Sequence, residues 1–314
     1  MAKILIIKYG ALGDIVMATS LIKQIQKHHA NDNIYLLTSP AFVSLFDNWQ
    51  GLSVISYPRK GLIAMLNTIN WIRSNKFDCL YDLQSNDRTR LISIFSGIRD
   101  KVGNHPYFPY NIHPPDKYTG QKHIFDRMLE LIASAGIVPD KSLPALPASQ
   151  DSKNKVSQWL QDHGLIKNNL VILHAGSSPE HENKRWPYYP DLAKRLCKAG
   201  YEIIWIGADA DVDLNRTLSN QTGIDATSLF TINEIAELGR YAKFAITNDS
   251  GPMHILSCSG IPVYAFFGPT DWKRNHAIGQ ADNTFVADSK KLDQIGINYV
   301  LDRLTKDGLV SDCS

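Results

Sequence analysis

Cysteine is scarce: four in 314 residues, at Cys79, Cys197, Cys258 and Cys313, with no CxxC pair. That scatter argues against a disulfide framework and against a zinc knuckle. It leaves a reducing cytoplasm as the expected address. No apolar run nears the roughly 20 residues needed to span a bilayer. The opening MAKILIIKYG lacks the long apolar stretch and cleavage site of a secretory signal. No GxGxxG follows the first strand, because Leu12 stands inside the turn Gly10-Ala11-Leu12-Gly13, so a dinucleotide oxidoreductase is disfavoured. There is no GxxxxGK[ST] loop, GxSxG elbow or HExxH pair. His28 and His29 are adjacent and point to different helix faces, so they make a poor ligand pair and no metal is expected. The charge is balanced, 33 Lys and Arg against 31 Asp and Glu, without the dense basic face of a nucleic-acid binder.

What is present is an ordinary globular balance, 44% hydrophobic and 20% charged. The length favours two domains. Residues 1–150 carry a formal charge of +5 and residues 151–314 one of −3, so the halves differ in sign. Apolar runs KILII (3–7), IYLLT (34–38) and CLYDL (79–83) read as buried strands, as do VILHA (171–175), EIIWIG (202–207), FAIT (244–247) and VYAFFG (263–268). Helix-period segments alternate with them, such as Ile15, Ala18, Leu21, Ile22, Ile25 and Met128, Leu129, Ile132, Ala135. Continuous apolar strands alternating with helices imply an α/β chain with parallel sheets covered on both faces. The pattern runs twice, broken by the proline-rich polar stretch 139–155, which reads as a linker. The expected architecture is two Rossmann-like domains, 1–148 and 155–290, facing a central cleft, then a C-terminal helix and tail over 291–314. Ligands of such sheets bind beyond the carboxyl ends of the strands.

Several turns at those strand ends carry polar groups. Asp14 follows the first glycine turn, where it either caps the helix or offers a carboxylate that accepts a proton. Gly176-Ser177-Ser178 with Lys184, Arg185 and Trp186 follows the VILHA strand and reads as a phosphate-facing or a solvated loop. In Thr247-Asn248-Asp249-Ser250-Gly251-Pro252-Met253-His254, Pro252 suits a first helical turn. Gly251 allows close approach of an anion to the free amides there. Asp249 is an odd neighbour for a phosphate and reads as a loop organiser or a sugar-hydroxyl partner. In Gly207-Ala208-Asp209-Ala210-Asp211, after EIIWIG, an acidic residue takes ribose hydroxyls, or Asp209 and Asp211 are simply solvated acids at a helix start.

Together, KYGALGDIVMATSLIKQI, AGSS…KRWP and above all ITNDSGPMHILSCSGIPVYAFFGPTD resemble the lipopolysaccharide heptosyltransferases, glycosyltransferase family 9, over nearly the whole chain. The resemblance implies a GT-B fold and inverting, metal-independent transfer of heptose from ADP-heptose to a phosphorylated lipopolysaccharide core acceptor, without a cofactor. It implies work at the cytoplasmic face of the bacterial inner membrane, with peripheral contact to anionic lipid. Carried over by position, Asp14 is the base and Lys184 the second catalytic group. Ser177, Ser178, Asp209, Phe230, Asp249, Ser250, Gly251 and His254 fall on the donor side. Gly13, Arg59, Lys60, Asp82, Gln84, His123 and Arg127 fall on the acceptor side.

Overall fold

The computed structural model describes residues 1–104, 108–116, 122–165 and 169–311, so Cys313 lies outside the described residues. The chain divides into two compact units, Met1–Pro147 and Ala148–Ser314.

The first unit holds strands β1 (Lys3–Ile7), β2 (Asn33–Thr38), β3 (Leu52–Ser56), β4 (Cys79–Asp82) and β5 (Asp100–Val102). Its helices are α1 (Leu12–His28), α2 (Leu62–Asn75), α3 (Asp87–Phe95) and α4 (Ile124–Ser134). The sheet order is β3-β2-β1-β4-β5, with every pair parallel. Leu5, Ile7, Leu37 and Leu80 pack from the sheet onto Ile69 and Ile72 of α2 and Ile92 of α3. Removing such side chains from water is the main stabilising term for the unit.

The second unit holds α5 (Gln150–Asp162), β6 (Leu170–His174), α6 (Tyr189–Lys198), β7 (Glu202–Trp205), α7 (Val212–Ser219), β8 (Ile224–Asp225), α8 (Ile232–Gly239) and β9 (Ala242–Asn248). It continues with α9 (Gly251–Ser257), β10 (Val263–Phe267), α10 (Trp272–Asn275), β11 (Thr284–Val286) and α11 (Ile297–Lys306). The sheet order is β11-β10-β9-β6-β7-β8, again parallel throughout. Successive strand residues alternate between its two faces. Leu173, Trp205, Phe244 and Phe266 meet Tyr189 and Leu196 of α6 and Val300 and Leu304 of α11. Ile172, Ile204, Ala245 and Ala265 meet Val156 and Leu160 of α5, Leu238 of α8 and Leu256 of α9. Burial on both faces is why these strands read as unbroken apolar runs.

Two segments behave differently from the sequence expectation. The stretch 139–155 is not a free linker. Asp140 exchanges two hydrogen bonds with Gln24 of α1, both at 2.8 Å, and Ala145 N–H donates to Thr19 Oγ1 at 3.0 Å. Its last residues already form α5, whose N-cap Ser149 accepts from Ser152 N–H at 3.0 Å. The C-terminal helix is part of the second core, because its apolar stripe of Val300, Leu301 and Leu304 lies in the same cluster as the strands.

Candidate active site

Each sheet reverses its strand order once, between β1 and β4 in the first unit and between β6 and β9 in the second. At such a switch point the chain leaves adjacent strands in opposite directions and opens a crevice beyond their carboxyl ends. Asp14 and Gln84 in the first unit, and Ser177, Lys184, Asp249, Ser250 and Gly251 in the second, follow the strands at these two places.

In the second unit, Asn248 ends β9 and ties its neighbour's loop down. Its amide donates to the carbonyls of Ala175 and Gly176, both at 2.9 Å, and its oxygen accepts from Trp186 N–H at 3.1 Å. The loop after β6 thus turns back across the end of β9 and brings Lys184 to Asp249. The ammonium donates to Asp249 Oδ2 at 2.7 Å, and Thr270 Oγ1 donates to the same oxygen at 2.6 Å. Lys184 keeps 18% of its side chain exposed, against 9% for Asp249. Asp249 therefore spends one oxygen holding two loops together, in keeping with an organising role. An ammonium has three donors, so Lys184 can hold Asp249 and still face an anion.

Ser177 is buried, donates to His181 O at 3.0 Å and accepts from Arg185 Nε at 3.2 Å. Ser178 is exposed at the head of a short 3-10 turn. Ser250 Oγ lies 3.2 Å from His174 Nδ1, and His174 Nε2 lies 3.8 Å from Asp211 Oδ2. His174 and Asp211 are both buried. Burial alone would raise the Asp211 carboxyl. The nearby His174 ring and the hydrogen bond from the Ala208 amide outweigh it and bring the group below its ordinary value. Asp211 is also wedged beneath two glycine turns. A Cβ on Gly176 would collide with its carboxylate, and one on Gly207 would come within 2.7 Å of its Cβ. Gly251 opens α9, followed by Pro252, and His254 is buried on that helix. Asp209 is exposed and accepts from Ser228. The Phe230 ring sits in the core beneath Trp159, with the Lys155 ammonium 5.4 Å from its centroid.

In the first unit Asp14 is the third residue of α1, and its side chain makes no cap: the N-cap is Ala11, with no side-chain hydrogen bond. The carboxylate is 30% exposed and lies 3.9 Å from the ammonium of Lys8, which is 3% exposed. Lys8 donates to Leu83 O at 3.1 Å. Burial lowers its pKa from the usual lysine range, while Asp14 and Asp82 act in the opposite sense. Asp82, at the end of β4, is fully buried and accepts from Tyr110 Oη and from the amides of Gln84 and Ser85. Its carboxyl is raised, chiefly by burial. Gln84 Oε1 accepts from the amides of Tyr9 and Gly10 at 2.9 and 3.2 Å and so shapes the turn that leads to Gly13 and Asp14. Gly10 has φ of 123°, and a Cβ there would strike the ring of Phe42, so only glycine suits this turn. Arg59 and Lys60 are exposed on the loop after β3. His123 is buried as the N-cap of α4, its Nδ1 accepting from Phe125 N–H at 3.1 Å. Arg127, one turn along, lies against Asn104.

The model of glycosyltransferase family 9 (heptosyltransferase) matches residues 65–302, more than half of the chain. The chain belongs to glycosyltransferase family 9. A lipopolysaccharide core heptosyltransferase of Haemophilus influenzae, OpsX, is 21% identical over 284 residues, covering 84% of this chain and 79% of the relative. A family 9 glycosyl transferase from Veillonella parvula superposes with a TM-score of 0.82 at 20% identity, over 97% of this chain and 96% of the other. The Escherichia coli heptosyltransferase WaaC, solved with ADP, gives 0.75 at 16% identity over 97% and 99%. The two parallel-sheet domains are those of a GT-B glycosyltransferase.

Within this family 9 enzyme, direct contacts join Lys184 to Asp249 and place Ser177 and Ser250 in the same loop cluster. Phe230 contributes its ring to the core. In the first unit Asp14 and Gln84 converge on the β1 turn, while Arg59 and Lys60 occupy the separate β3 loop. Sequence reasoning passed over Lys8, Tyr110, His174 and the side-chain role of Asn248, and it grouped Asp211 with Asp209 as a ribose partner or a solvated acid, whereas Asp211 is buried beside His174. A signal existed for Lys8, a lysine closing an apolar strand, and for Asp211, one turn beyond Gly207. His174 inside VILHA reads as strand and nothing more.

Proposed function

We propose that this glycosyltransferase moves a heptose from ADP-heptose to a phosphorylated lipopolysaccharide or lipooligosaccharide core acceptor, by single displacement with inversion and without a metal. The observation that carries the reading is Asp14, a partly exposed carboxylate that caps nothing and lies beside a buried ammonium at a sheet switch point. Membership of family 9 and the names of the relatives support the substrate class, and a neighbour solved with ADP supports the nucleotide.

In this reading Asp14 takes the proton of the attacking acceptor hydroxyl, a role typically worth 10²–10⁴ in rate. Lys8 places a buried positive charge 3.9 Å from that carboxylate. As the bond from sugar to diphosphate lengthens, negative charge grows on the leaving oxygens. Lys184, held by Asp249, supplies a fixed cation there, and preorganised charge of this kind is commonly the largest catalytic term. Ser177, Ser178, Ser250 and the amides at Gly251 add neutral donors. Asp209 and the backbone near Phe230 serve the nucleoside, and His254 completes the donor side. Arg59, Lys60, His123 and Arg127 offer cationic or polar partners to acceptor phosphates, with Gly13 and Gln84 shaping the turn. The enzyme works in the cytoplasm, peripherally at the inner face of the inner membrane. Among the described residues no helix is long and apolar enough to cross a membrane.

The test is a panel of nucleotide sugars, each with and without truncated core acceptor, in the presence of EDTA. Transfer of heptose from ADP-heptose only when acceptor is present, undiminished by chelation, is the expected result. Interconversion or hydrolysis of the donor alone would instead make the protein an epimerase-like enzyme. Binding without turnover would make it a nucleotide-sugar binding protein.

A further inference from the structure

Large apolar side chains are left in solvent on one part of the first unit. Leu62, Ile63 and Leu66 form the exposed face of the first turns of α2, at 65, 76 and 50% exposure. They are spaced i, i+1 and i+4 and so share a side of the helix. Further along the same helix the exposed positions are polar, Asn70, Arg73 and Ser74, so the apolar character is confined to its tip. On α3, Leu91 and Phe95 are 42 and 53% exposed, one turn apart. Arg88 lies on that same α3 face, three residues before Leu91, and bridges the two helices. Its guanidinium donates to Gly61 O at 3.1 Å and Pro58 O at 3.5 Å, the two ends of the loop that feeds α2. Phe108, 69% exposed, is held to α3 by Arg90, which donates to its carbonyl at 3.2 Å.

The charged neighbours have one dominant sign. Arg59 and Lys60 are exposed in the loop between Pro58 and Gly61, immediately before Leu62, and Arg88 and Arg90 stand behind them, against Asp87 at the start of α3. Apolar side chains rimmed by cations match a phospholipid surface with negative headgroups, the tips entering the acyl boundary while the cations stay among the phosphates.

We propose that the tip of α2 and the exposed face of α3 form the surface through which the first unit docks on an anionic phospholipid bilayer. The inference rests on the membrane contact proposed above and assigns it to named residues. It also explains why Arg59 and Lys60 share a loop with the apolar tip: a glycolipid acceptor reaches the enzyme from the plane of the bilayer, so cations that meet its phosphates must lie beside whatever touches that plane.

The test uses the full-length protein with vesicles of phosphatidylcholine alone or mixed with phosphatidylglycerol, by co-sedimentation across a salt series. Wild type should partition onto the anionic vesicles and be released progressively by salt. The double variant Leu62→Ser, Ile63→Ser, with an unchanged thermal melt, should bind at least tenfold more weakly at every salt concentration. Leu91→Ser with Phe95→Ser should weaken it in the same direction, and Asn70→Ser, on the polar part of α2, should not. Partition of the tip variant equal to wild type would overturn the assignment while leaving the membrane reading in place. Failure of wild type to bind either vesicle would remove that reading itself. Sedimentation velocity is the remaining arm. Wild type that self-associates and a tip variant that is monomeric, with vesicle binding unaltered, would assign the surface to a second copy of the chain and overturn the proposal.

Discussion

Replacing Asp14 by Asn separates catalysis from structure more cleanly than any other single change in this protein. The carboxylate donates no stability as a cap, since Ala11 is the N-cap and has no side-chain bond. What Asn removes from the fold is one negative charge in the first turn, worth about 0.3–1 kcal/mol with the helix dipole, and one carboxylate 3.9 Å from Lys8. Lys8 keeps its hydrogen bond to Leu83 O and the field of buried Asp82. For a unit of this size the melting temperature should therefore drop by no more than about 2–4 °C. ADP affinity, which in the proposed reading rests on the other unit, should not change. Turnover is a different matter. Loss of a general base should lower kcat by at least about a hundredfold, equivalent to about 2.7 kcal/mol in the barrier. Initial rates with saturating donor and acceptor, calorimetry with ADP and a thermal melt on the same preparation measure all three. A variant that folds, binds ADP and still turns over at near wild-type rate would refute the assignment of Asp14 as base.

Three further outcomes follow from other parts of the molecule. Gly251→Val puts a branched side chain at the start of α9 and should weaken ADP binding at least tenfold, about 1.4 kcal/mol by calorimetry; unchanged affinity would take the diphosphate away from this turn. Asp211 is depressed in the folded state, so its contribution is present above its unfolded value of 3.8 and is lost as pH falls through the lower folded value. Urea midpoints of wild type should thus fall toward those of Asp211→Asn across that acid window, and parallel curves would disprove the coupling. Burial, helped by Asp100, pushes the Cys79 thiol up to about 12, leaving about one thiolate in ten thousand at pH 8. A maleimide should label exposed Cys197 and spare Cys79 in the native protein, and rapid labelling of Cys79 on mass spectrometry would contradict its packing.

The fold could be read from the sequence because its strands are buried on both faces. KILII, VILHA and VYAFFG show no polar–apolar alternation to confuse with another element, and each became a strand. The limits of elements were harder. Nothing local distinguishes a polar stretch that straps onto α1 through Gln24 and Thr19 from one that hangs free, since the partners are more than a hundred residues away in the chain. The same holds for the site. Lys184 and Asp249 could each be picked out, but not their mutual bond, which depends on Asn248 folding one loop across another. Motifs show which groups are available. Long-range contacts decide which of them touch, and these set His174 between Ser250 and Asp211 while leaving the neighbouring Asp209 exposed.

Because each unit closes its own hydrophobic cluster around its own sheet, the chain is built like two cartridges in series. Residues proposed to read the acceptor lie in one unit and residues proposed to grip the nucleotide in the other, so one set can drift through mutation while the other stays fixed. A lineage could acquire a new acceptor by rewriting 1–147 and inherit its donor chemistry intact. An engineer could attempt the same by joining the first unit of one family member to the second of another between Pro147 and Ala148.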